Sequence, residues 1–269
     1  MRWFVDAFGK EAALGEMALP TVDFYPADYT GSIEQIARLI AKVGEWMLCE
    51  PFACRLVLFD PEDKDKRTVG HFQMRDDRVE IGLDRTETSD PAFLTAIIAH
   101  EIGHVRLLYE GHLTKAGKNH ERLTDLLTVY LRFGVFTTNA ALRFTETVRG
   151  WSAEPLGDLS EQDLHGAGHG GYSRLGYLSE PEFGYALACL CRLRGEAEPA
   201  WASHLDPGPR AHLKQGIAYL AGCGGSGDQF PTVRAADGNA WVRTTANRPV
   251  RIRVVPKEAR VWLPPVSGE

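Results

Sequence analysis

The stretch SDPAFLTAIIAHEIGHV, residues 89–105, decides how this chain is read. Ser89 and Asp90 offer helix caps, Pro91 suits a first helical turn, and the apolar run predicts a helix to about Tyr109. Between Pro91 and Val105 the only ionisable residues are His100, Glu101 and His104. A helix that is apolar on nearly every side belongs in a core. Burying a carboxylate between two imidazoles is unfavourable unless the three are paired or hold a metal.

Histidines four residues apart lie about 40° apart around a helix axis and share one face. Their ring nitrogens can converge on one Zn²⁺ at about 2.0–2.1 Å. Glu101 then stands beside the metal, placed to accept a proton from bound water. Zinc lowers the pKa of that water and polarises a carbonyl, which is what amide hydrolysis needs. A catalytic zinc takes three protein ligands and keeps one position open. A second apolar stretch, expected as one helix over residues 121–136, offers Glu121 and Asp125 at i and i+4. Asp125 sits among Leu123, Leu126, Leu127 and Val129, a poor place for an unpaired charge.

His-Glu-x-x-His followed by Glu-x-x-x-Asp on a later helix resembles the gluzincin class of zinc metallopeptidases. The resemblance implies zinc held by His100, His104 and Glu121, with Glu101 as general base and Asp125 orienting a ligand histidine. It also implies a zincin-like core made of a small sheet, the motif helix and a third-ligand helix. Residues 79–83 would be its edge strand, where a peptide adds by backbone pairing. The resemblance covers residues 79–136. Only 16 residues separate His104 from Glu121, so Glu121 and Asp125 both stay open as third ligand, with His120 a further candidate.

Outward from this segment the expected class is α+β: a zincin-like core, a mostly helical remainder and a C-terminal β-hairpin. Ile33, Ile36, Ala37, Ile40, Val43 and Met47 predict a helix capped by Ser32 and stopped by Pro51. Residues 56–59 and 79–83 read as strands, and 181–194 and 209–220 as helices. The expected domains are an irregular arm over 1–29, a metallohydrolase domain over 30–221, a glycine-rich linker over 222–227 and a β segment over 228–269. In that segment 250–254 and 260–263 flank a Pro256 turn. The long loop over 150–180 carries His165, His169, Arg174 and Tyr177, with Tyr172 a candidate oxyanion stabiliser. Cys189 and Cys191 point about 200° apart on a helix and read as packing.

Composition excludes several classes. With 269 residues, 44% hydrophobic and 25% charged, the chain is long enough for one sizeable core. A net charge of −6 argues against a nucleic-acid partner. No apolar run reaches the roughly 20 residues of a membrane span. The first residues lack a secretory pattern, and five irregularly spaced cysteines make no disulfide framework, so a cytoplasmic location is expected. The expected function is hydrolysis of a protein or peptide substrate. The rival readings are a binding or regulatory protein with structural zinc, closed by Asp125 or a loop histidine, and a metal-free helical interaction domain.

Overall fold

Local chemistry sets where the elements begin and end. The computed structural model describes residues 1–25, 27–60, 69–75, 78–113, 120–149, 178–222, 239–243 and 249–253. The chain is α+β and mostly helical, and it divides into two compact units, Met1–Cys223 and Gly224–Glu269. The first unit holds helices α1 (Arg2–Phe8), α2 (Glu11–Leu14) and α3 (Ile33–Trp46), then strands β1 (Cys54–Phe59), β2 (Gly70–Arg75) and β3 (Arg78–Asp84). Helices α4 (Pro91–His104), α5 (His120–Tyr130), α6 (Gly134–Arg149), α7 (Glu180–Arg194) and α8 (Pro207–Gly222) complete it. Among the described residues no helix is long and apolar enough to cross a membrane.

The motif helix α4 is the centre of this unit. Asp90 caps it by accepting the N–H groups of Ala92 and Phe93, and Pro91 occupies the first turn. Every residue from Phe93 to His104 is buried, packed by α3, α5, α6 and β2. α3 begins at a capping box between Ser32 and Gln35 and turns Ile36, Leu39, Ile40 and Val43 into the core. α4 ends at His104 rather than Tyr109, and the chain widens into one π-helical turn over Val105–Tyr109.

The sheet has the order β1-β3-β2, with β1 parallel and β2 antiparallel to β3. On β3, Val79, Ile81 and Leu83 are fully buried, while Glu80 points outward to Arg55 and His71. The strand expected at the edge is therefore central, with partners on both sides. β2 is the strand that borders α4, and its pairing with β3 leaves its other side unpaired among the described residues.

Three further expectations are corrected. The single helix over 121–136 is broken into α5 and α6, because Arg132 adopts a left-handed φ of 75° and Phe133 N–H returns to Thr128 O at 2.8 Å. The Arg132 guanidinium holds this turn by donating to Trp46 O at 2.6 Å and Glu16 O at 3.1 Å. Residues 1–29 are irregular only from residue 15 on: residues 2–8 and 11–14 are helical, with Phe4 of α1 stacked on Tyr130 at 5.2 Å and the Tyr130 hydroxyl donating to Gly9 O at 2.6 Å. Arg194 adds hydrogen bonds of 2.7 Å to Ala13 O and 2.7 Å to Gly15 O. In the second unit, β5 (Pro249–Arg253) pairs antiparallel with an earlier strand, β4 (Asn239–Arg243), and residues 260–263 lie outside the described residues.

The approach of α4 to α5 depends on Gly103. A Cβ there would stand 2.7 Å from Thr124 Cγ2, a methyl group on a stiff β-branched side chain. Gly103→Val is expected to destabilise the protein by about 1–3 kcal/mol through overpacking. The measurement is a lower urea midpoint at unchanged m-value, and an unchanged midpoint would contradict this packing.

Candidate metal centre

Two helices meet at the site. α4 presents His100 and His104 from one face, their ring centroids 4.8 Å apart and nearly perpendicular at 86°. α5 begins at His120, so Glu121 lies in its first turn. A single carboxylate oxygen, Glu121 Oε2, is 3.1 Å from His100 Nε2 and 3.3 Å from His104 Nε2. The three residues offer ligand atoms that all lie within 4.8 Å of one another. In a tetrahedral zinc site with bonds of about 2.0–2.1 Å, neighbouring donors stand about 3.4 Å apart. The two spacings from Glu121 Oε2 match that edge, and two imidazoles with one carboxylate are a donor set zinc accepts.

The surroundings fix each donor. His100 Nδ1 donates to Asp125 Oδ1 at 2.9 Å, and Asp125 Oδ2 accepts the Leu178 backbone N–H at 3.0 Å. Both oxygens of Asp125 are thus engaged on the far side of the His100 ring. That geometry separates the two acids: Glu121 joins the donor cluster and Asp125 orients a histidine. His120 lies beside the outer oxygen, with Nε2 2.9 Å from Glu121 Oε1. The Phe72 ring of β2 stacks on His104 at 5.8 Å and 30°. Glu101 is buried against the start of β2, where a Cβ at Gly70 would stand 2.8 Å from Glu101 Oε1 and 2.6 Å from Ile97 Cγ2. Only glycine lets the strand pass that closely over the carboxylate.

Burial and pairing pull the ionisations in different directions. Burial opposes charge on His100, but the hydrogen bonds to Asp125 and Glu121 outweigh it and raise its pKa from 6.5 to about 10. Burial also opposes charge on Glu121, yet the hydrogen bonds from His100 and His104 hold its carboxyl well below the usual carboxylate range. His104 is pushed down, mainly by burial. Glu101 is raised from 4.5 to about 7 by burial, against the opposing pull of His100.

Thr124 carries a weak signal in the sequence, a hydroxyl residue between Leu123 and Asp125. It is fully buried, with Oγ1 3.3 Å from His104 Nδ1. The Leu178 N–H left no signal, since backbone groups have none. Tyr172, His165, His169, Arg174 and Tyr177 lie outside the described residues. A cavity of about 490 Å³ between α3 and β1, lined by Ile40, Phe52 and Leu56 among others, includes none of the donor residues. Compared with models of known families, with curated proteins and with solved structures, the chain matches none.

These ionisations set the pH response of the metal-free fold. His100 contributes stability that is complete below 6.5 and is lost as pH climbs to about 10. Glu101 acts in the same direction between 4.5 and about 7, because the folded state keeps its proton longer than the unfolded chain. Glu121 acts oppositely, losing its contribution as pH falls below 4.5. Chelator-treated protein is expected to melt at a higher temperature at about pH 6 than at about pH 9, and Asp125→Asn to shrink that difference. A wild-type melting temperature that rises across this interval would contradict the assignment.

Proposed function

We propose that the protein is a zinc-dependent metallopeptidase, with the metal held by His100, His104 and Glu121. The observation that carries this reading is the shared Glu121 oxygen at 3.1 and 3.3 Å from the two Nε2 atoms. Zinc held there would supply a Lewis acid that polarises a carbonyl and lowers the pKa of water so that it can be deprotonated to a nucleophile. Glu101 is the general base. Its pKa of about 7 suits a group that takes a proton from the attacking water and then gives it to the leaving nitrogen. Asp125 keeps His100 in one tautomer and makes it a stronger donor.

The sheet, α4 and α5 correspond in this reading to a zincin-like core of the gluzincin kind. β2 replaces β3 as the strand on which a peptide backbone would pair, since β2 borders α4 and puts Phe72 against His104. The substrate is a protein or peptide. A closed structural site requires a fourth protein ligand. Both Asp125 oxygens are engaged elsewhere, which favours the open, catalytic alternative. The four described cysteines are free thiols, in keeping with a reducing compartment and a cytoplasmic place of action.

Glu101→Gln separates binding from turnover, because Glu101 is a base and not a ligand. The variant is expected to keep its zinc while cleavage of a peptide library falls by about 10²–10⁴-fold. Persistent cleavage in Glu101→Gln, or wild-type cleavage that survives complete chelation, would overturn the mechanism.

A further inference from the structure

One buried hydroxyl faces the second histidine. Thr124 Oγ1 donates to His120 O at 2.8 Å and stands 3.3 Å from His104 Nδ1. A hydroxyl has one proton and two lone pairs. With its proton committed to the carbonyl, Oγ1 can meet His104 Nδ1 only as an acceptor. Where a cation takes the place of the Nε2 proton that His104 donates to Glu121 Oε2, 3.3 Å away, the ring proton belongs on Nδ1 and the Nε2 lone pair is left for the metal. Asp125 performs the matching task at His100 Nδ1. Two adjacent residues of α5 thus each hold the rear nitrogen of one histidine.

We propose that Thr124 is a positioning residue for the metal centre, accepting the Nδ1–H of His104 so that Nε2 is the donor nitrogen. The inference rests on the proposed metal-binding reading and adds an asymmetry to it. His100 is backed by a carboxylate and His104 by a neutral hydroxyl, so His100 is the more strongly donating ligand. The placement depends on helix spacing, since a Cβ at Gly103 would stand 2.7 Å from Thr124 Cγ2.

The test measures zinc affinity by competition with a chromophoric chelator, for wild type, Thr124→Val and Thr124→Ser. It is joined by nitrogen-resolved NMR of the histidine rings in the zinc-loaded proteins. Thr124→Val is expected to weaken zinc binding by about 10–100-fold and to lose the hydrogen-bonded Nδ1–H signal of His104. Thr124→Ser, which keeps the hydroxyl, is expected to retain both. If the valine variant does not fold, Thr124→Ala removes the hydroxyl without bulk and carries the same expectation. Unchanged affinity and an unchanged His104 signal in a folded hydroxyl-free variant would overturn the role of Thr124 and leave the metal centre standing. A wild type that binds no zinc would overturn both.

Discussion

The fold is organised around a charge problem in its own core. α4 carries His100, Glu101 and His104 in the middle of an otherwise apolar helix, and all three are almost completely buried. Removing an unpaired ion from water costs several kcal/mol even after the protein relaxes, comparable to the gain from burying one or two large aliphatic side chains. α5 answers this with Glu121 against both Nε2 atoms and Asp125 against His100 Nδ1. The rest follows from bringing α5 that close. Gly103 removes the side chain that would keep the helices apart, and Gly70 lets β2 cover Glu101. Leu178, at the entry to α7, ties that helix to Asp125 Oδ2.

This arrangement has two ways of being satisfied. Without a cation, a proton on His100 lies between two carboxylates and neutralises much of their charge. In the proposed metal-bound form that proton would leave and the same Nε2 and Oε2 atoms would serve as ligands. The ion pairing already brings these three donors together. Preorganisation of this kind reduces the rearrangement needed on binding.

The histidine pair, Glu101 and Asp125 stand out in the sequence because each is a polar residue inside an apolar helical pattern, and Glu121 stands out by its i, i+4 spacing from Asp125. α3 was legible for the same periodic reason, with Ser32 marking its start. What escaped depends on distant contacts. Nothing local distinguishes Val105–Tyr109 from a continuing α-helix, and the break after Tyr130 is held by Arg132 reaching the carbonyls of Glu16 and Trp46. β2 is hard to see because only Phe72 and Met74 mark its alternation, and the edge role expected of β3 rested on the resemblance alone. The first residues look irregular because the groups that order them, Tyr130, Arg132 and Arg194, lie more than a hundred positions later.

The most direct test of the central claim is the zinc content of tag-free protein, measured by mass spectrometry beside His104→Ala, Glu121→Ala and Asp125→Ala. The account predicts about one zinc per chain in the wild type, lost with His104 or Glu121 and only weakened with Asp125. Wild-type protein that takes up no zinc even when it is offered in excess would contradict the account.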